Sequence, residues 1–417
     1  MQSILPAKPD RGYPPKQPDL KRIYVTSAVI ALLLVYGVFA ARLLNNPAES
    51  KTMDFMAYYT AARIARQQGL PHIYDLDLQR QIEVERLGSN LAQEQFLPYI
   101  HPPYIVPLLE VLFDQDFETS FLRWMLCLAG VSLFSVRLLS RMLPEHPRPW
   151  RKLLCGSMLF FPVFISITQG QDTAFMLLGL SIFLWGMSNK HETLAGWGLS
   201  LLTLRPQMAL FFILPVFFWS RNAFWAYLTG CATLTIASIA MLGRQGTLDF
   251  IDILRISSGG DGYGTNEAAM LNLLGLARRL FPAMASEPAR QAAWGIFLLA
   301  TAGTSLFFAI SKMDKPQKFG LCVLVFLMTS PHFHYHDLSL MLAPAIILIH
   351  YLSRDKPAAM PTAGVVAASF SLVMMLSNKT PLFFYGMPYV LAGFLIAGLL
   401  IYPKISADLP PSQPVII

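Results

Sequence analysis

Two adjoining stretches, Ile23–Ala41 (IYVTSAVIALLLVYGVFAA) and Lys51–Asp75 (KTMDFMAYYTAARIARQQGLPHIYD), decide how the chain is read. The first is apolar throughout and long enough to cross a bilayer, which takes about twenty such residues. The second opens a polar segment, 43–118, in which apolar and aromatic residues return at helical spacing. Phe55, Tyr58, Tyr59, Ala62 and Ala65 fall on one helical stripe, with Arg63 and Arg66 on its basic flank. The rest of the chain repeats the contrast of apolar run and polar connection.

Apolar runs recur near 23–42, 120–141, 153–168, 172–188, 193–204, 207–219, 223–242, 292–311, 319–330, 338–351, 361–377 and 387–402. They predict an all-α polytopic membrane protein with about twelve transmembrane helices. Composition agrees: 54% of the 417 residues are hydrophobic and 14% are charged, against about 25% charged in soluble domains. The formal charge of +7 is spread over short connections rather than gathered in one patch, which argues against a nucleic-acid partner. Cys127, Cys155, Cys231 and Cys322 all lie in apolar runs without metal or redox spacing.

Orientation follows from the basic residues. With the N-terminus inside, the inner connections hold Arg137, Arg141, Arg148, Arg151, Lys152, Lys190, Arg221, Lys312, Lys315, Lys318, Arg354 and Lys356. The short outer connections hold only Arg205 and Lys379, so both termini are expected in the cytoplasm of a bacterial-type inner membrane. Residues 1–22 are read as a disordered cytoplasmic arm, 23–402 as one transmembrane domain with outer loops 43–118 and 243–291, and 403–417 as a cytoplasmic tail. In the first outer loop the pattern predicts amphipathic helices over 55–68 and 76–92 at the membrane interface, then a Pro-initiated helix over 103–113. No fixed-period repeat is evident.

The polar clusters all fall on the expected outer face. Asp54, at the head of the 55–68 helix, has two compatible readings: an N-cap or a catalytic carboxylate. Gln169-Gly170-Gln171-Asp172 is a polar turn whose amides suit sugar hydroxyls or simply loop backbone, with Asp172 placed to cap the next helix. Arg205, in Leu204-Arg205-Pro206-Gln207, sits between two spans joined by almost no loop. It needs either a phosphate or a structural ion-pair partner. His332, His334 and His336 alternate in Ser330–Asp337. They suit substrate or phosphate contact, a plain polar loop or, with less support from neighbouring ligands, a metal. The glycine-rich stretch 259–264 lacks a preceding strand and a Walker lysine. It is read as a flexible outer lid, followed by a helix over 266–280.

Taken in order, Asp54-Phe-x-x-Tyr58-Tyr59 with Tyr74-Asp75, Pro102-Pro103-Tyr104, Gly170-Gln171, Arg205-Pro206-Gln207, Asn272-Leu273-Leu274-Gly275 and Ser330-Pro331-His332 with His336 resemble glycosyltransferase family 87 over roughly residues 50–350. That resemblance implies the GT-C fold and an inverting transfer of mannose or a related hexose from a polyprenyl-phosphate donor. The acceptor would be a glycan or glycolipid on the non-cytoplasmic face, and no cofactor or metal is implied. Asp54 would be the general base. Tyr58, Tyr59, Gln171, Arg205, Gln207, His332, His334 and His336 would contact substrate, with Arg205 standing where lysine is usual. A transporter or flippase of lipid-linked sugar is the rival reading. It calls for mid-span charge and inverted repeats, which the sequence does not display.

Overall fold

The computed structural model describes residues 20–46, 53–87, 96–143, 149–259, 267, 270–283, 285–355, 359–376 and 381–407. Among these every regular element is helical. In order they are α1 (Leu20–Asn45), α2 (Phe55–Gln68), α3 (Leu76–Leu87) and α4 (Val106–Leu112), then α5 (Phe117–Ser140), α6 (Pro149–Leu159), α7 (Phe161–Gln169), α8 (Thr173–Ser188) and α9 (Glu192–Leu199). There follow α10 (Pro206–Trp219), α11 (Arg221–Gly259), α12 (Leu273–Leu280), α13 (Ser286–Ile310), α14 (Lys315–Thr329), α15 (Leu342–Asp355), α16 (Ala359–Leu376) and α17 (Pro381–Ala407). Short 3-10 turns precede α4, α10 and α15.

Among the described residues six helical stretches are long and apolar enough to cross a membrane: Ile23–Leu43, Phe117–Ser140, Arg221–Ser257, Glu287–Ile310, Tyr335–Ser353 and Phe384–Ile401. Large apolar side chains on them, such as Leu33, Leu126, Ile236 and Leu299, are exposed, as a lipid-facing surface requires. The chain is a multi-pass membrane protein. The other expected spans coincide with shorter or interrupted helices. Apolar 153–168 divides between α6 and α7, where Phe160 turns extended ahead of Pro162, and 193–204 ends in a 3-10 turn before Pro206.

The first helix of the first loop is packed inside the protein. α2 begins and ends where the periodicity puts it, but nearly all of it is buried in protein, from Phe55 to Ala62 continuously. Its small side chains, Ala57, Ala61, Ala62 and Ala65, allow close approach on one side. Phe55 packs edge-on to Phe113 and Phe117 at ring-centroid distances of 5.1 and 5.0 Å. On the basic flank the exposed Arg66 donates to the carbonyls of Glu110 (2.6 Å) and Phe113 (2.7 Å), capping the C-terminus of α4.

The second expected outer loop is largely helix. α11 runs on to Gly259 through a break at Gly243, whose φ of 62° a side chain would strain. α12 starts at Leu273, later than expected, because Asn272 caps it by accepting from Gly275 N–H at 2.8 Å. Residues 260–264 of the glycine-rich stretch, 88–92 of the expected 76–92 helix, 1–19 of the arm and 408–417 of the tail lie outside the described residues.

Candidate active site

The turn Gln169–Asp172 joins α7 to α8 and ties together most of the polar groups singled out above. α7 stops at Gly170 in the left-handed conformation, φ 78°, with Gln171 N–H returning to the Ser166 carbonyl at 2.9 Å. Gly170 is also required by packing, because a Cβ there would stand 2.8 Å from Phe55 Cβ. Its carbonyl accepts from the Trp124 indole N–H at 2.8 Å. The turn is thereby pressed against the first residue of α2, beside Asp54.

From this anchored turn the side chains diverge. Gln171, buried, donates from Nε2 to Asp54 Oδ2. Gln169 donates from Nε2 to the Tyr335 hydroxyl in the histidine turn. Asp172, fully buried, forms an ion pair with Arg205: Nη2 to Oδ1 at 3.1 Å and Nη1 to Oδ2 at 3.3 Å. Although Asp54 and Asp172 both occupy N-cap positions, neither side chain makes a capping hydrogen bond. The capping reading of both residues is therefore replaced by these longer-range contacts.

Asp172 has a second partner that sequence reasoning missed. His101 Nδ1 lies 2.8 Å from Asp172 Oδ2 and 2.9 Å from Arg205 Nη1. One ring nitrogen cannot donate to the carboxylate and accept from the guanidinium at once, so the two contacts alternate with the proton's position. Nε2 faces the Tyr58 hydroxyl at 3.0 Å, and the His101 carbonyl accepts from Tyr74 at 2.6 Å. Burial opposes ionisation of Asp172, but Arg205 and His101 outweigh it and hold the carboxyl below the ordinary range. His101 stands beside Pro102-Pro103, at the start of a 3-10 turn. No local signal marks a pairing between residues this far apart in the chain.

Arg205 lies between a 3-10 turn and α10, with Pro206 at the first helical position. Its place depends on close packing upstream: a Cβ on Gly179 of α8 would stand 2.9 Å from the Gly198 carbonyl of α9. The histidine turn is held by α12. Leu271 N–H donates to the Phe333 carbonyl (2.9 Å), and Asn272 Nδ2 donates to that of Ser330 (2.7 Å). Asp337 Oδ2 accepts from His334 N–H at 3.0 Å. Burial brings the His334 imidazole down to about 4, with His336 adding to the effect, and His332 is lowered for the same first reason. Near neutrality His334 therefore offers a neutral N–H as a hydrogen-bond donor rather than a proton.

These groups line one cavity of about 1050 Å³. Asp54, Gln171, Arg205, Gln207, His332, His334 and His336 all face it, as does His101. Tyr58 and Tyr59 do not. Tyr58 is buried behind the wall with its hydroxyl on His101, and Tyr59 is buried with its hydroxyl on the Gln115 carbonyl (2.7 Å) and Arg86 (2.7 Å). With Phe55 they form a packed helix face. The cavity continues between α10 and α13, where Leu210, Phe211, Trp294, Phe297 and Leu298 make an apolar wall.

Fold and site together define a helical multi-pass membrane protein with a polar reaction-sized cavity that opens into an apolar groove. The model of glycosyltransferase family 87 matches residues 99–331, and the chain belongs to that family, as its motifs suggested: it is a membrane glycosyltransferase. No match was found among curated proteins. The matched stretch includes His101, Gln171, Arg205 and Gln207. Asp54 and the three histidines lie outside it and join it through the contacts just described.

Proposed function

We propose that this glycosyltransferase has the GT-C architecture and transfers a hexose, mannose first among candidates, from a polyprenyl-phosphate donor to a glycan or glycolipid on the non-cytoplasmic face. The observation that carries this reading is the meeting, in one cavity, of the Asp54 carboxylate, the Arg205 guanidinium and an apolar groove between two helices. A donor with a sugar, an anionic link and a long hydrocarbon chain matches those three environments in turn.

In this reading Asp54 accepts the proton of an acceptor hydroxyl while that oxygen forms its bond to the anomeric carbon. The bond from the anomeric carbon to the phosphate oxygen breaks on the opposite face, and its electron pair leaves with the polyprenyl phosphate. The configuration inverts. Gln171 orients Asp54 through its amide, and Arg205 with the neutral N–H of a histidine in 332–336 meets the charge growing on the leaving oxygen. Phosphate leaves readily, so one base and one cationic contact are sufficient for the step. Action on the outer face rests on the positions of Lys and Arg between the apolar runs.

The test is an assay of purified protein in lipid with polyprenyl-phosphate mannose and membrane-extracted acceptor lipid, read by mass spectrometry. A product heavier by one hexose, with release of polyprenyl phosphate, supports the reading. Movement of the donor across the bilayer without covalent product would establish the flippase instead.

A further inference from the structure

The guanidinium of Arg205 has two chelating edges, and the protein uses only one of them. Nη1 donates to Asp172 Oδ2 at 3.3 Å and Nη2 lies 3.1 Å from Oδ1 as an ion-pair contact, and Nη1 also approaches His101 Nδ1 and, at 3.3 Å, the Leu204 carbonyl. A guanidinium carries five N–H donors in a fixed plane. With the Nη1–Nη2 edge engaged, the Nε–H and the outer Nη2–H are left side by side. Among the described residues no protein acceptor is recorded for Nε, and the Arg205 side chain lines the cavity at 15% exposure. Asp172 itself is wholly withdrawn from the cavity and cannot compete for substrate there.

We infer that Asp172, assisted by His101, is a positioning residue: it orients the Arg205 plane so that the Nε–Nη2 edge faces the cavity to chelate two oxygens of the donor phosphate. This inference rests on the phosphate-linked donor proposed above and adds the residues that aim the cation at it. His101 serves as the adjustable part. When its Nδ1 carries the proton it donates to Asp172, and Nη1 keeps only Asp172 Oδ2 and the Leu204 carbonyl. When Nε2 carries it, towards Tyr58, Nδ1 accepts from Arg205 and fixes the guanidinium further. A lysine at 205 would supply charge without the second edge.

The experiment measures binding of a short-chain prenyl phosphate to the full-length protein in detergent, alongside donor KM and kcat. The Asp172→Asn, Asp172→Glu, His101→Gln, Arg205→Ala and Arg205→Lys variants are compared. Positioning requires prenyl phosphate binding about tenfold weaker in Asp172→Asn, the scale of one lost tenfold step in a charge-assisted chelate. Donor KM should rise in parallel, kcat should change much less, and Asp172→Glu should recover most of the loss. His101→Gln leaves the ion pair in place and should show a smaller loss of the same kind, so the inference stays testable if Asp172→Asn does not fold. Arg205→Lys should bind as weakly as Asp172→Asn. Normal binding by folded Asp172→Asn and His101→Gln, with weak binding by Arg205→Ala, would overturn the positioning role alone. Unchanged binding in Arg205→Ala would overturn the phosphate assignment with it.

Discussion

Gln171 Nε2 donates to Asp54 Oδ2, joining the turn after α7 to the head of α2 across more than a hundred residues of chain. The amide can satisfy one carboxylate oxygen and fix its rotamer, and Asp54 lines the cavity. Replacing Gln171 by Leu removes that bond at nearly constant volume. Turnover should fall about ten- to a hundredfold, up to the cost of misplacing a catalytic group by about 1 Å, with donor KM little changed. Steady-state kinetics on the purified variant checks this.

Gly170→Ala should damage both the fold and the site. The new Cβ would meet Phe55 Cβ at 2.8 Å, and φ 78° is strained for alanine. Neither backbone can withdraw easily, since Phe55 is held in an aromatic cluster and the Gly170 carbonyl is bonded to Trp124. A loss of about 1–3 kcal/mol is expected. It should appear as a lower unfolding temperature in detergent and as reduced turnover of the protein that remains folded.

Much of this was legible in the residues. Asp54, Arg205 and the 332–336 histidines are polar groups between apolar runs, and such groups are expensive near lipid unless they line a cavity. The start and end of α2 followed from its apolar stripe. What periodicity cannot convey is which neighbour a helix faces. The stripe of Tyr58 and Tyr59 read as one face of an amphipathic helix, and in the structure Phe117 and Trp124 pack against it. Asp172 looked like a cap because the cap position is local, while its partners His101 and Arg205 come from distant segments.

Glu83 on α3 gives the folded protein a pH dependence of its own. Burial raises its carboxyl from the ordinary 4.5 to about 8, against a weak opposing bond from Leu97 N–H at 3.3 Å. Between about 4.5 and 8 the folded state keeps a proton that the unfolded chain has lost, so this group's penalty grows as pH rises through that window. Glu83→Gln removes the titration. Its gain over the parent should be small near pH 5 and grow to about 2–4 kcal/mol by pH 8. Thermal unfolding at both pH values reads the difference.

Sidedness can be tested without substrate. In a background lacking the four native cysteines, Asp114→Cys in the first polar segment should react with a membrane-impermeant maleimide on intact cells. Lys190→Cys, after α8, should react only once the membrane is opened. The reverse pattern would invert the topology and place the cavity on the cytoplasmic side.

The most direct test of the central claim is Asp54→Asn, which keeps the shape and the partner Gln171 but removes the proton acceptor. Hexose transfer by the purified variant should fall at least about a hundredfold, with prenyl phosphate binding and unfolding temperature close to those of the parent. Transfer within a few-fold of the parent would show that Asp54 is not the base.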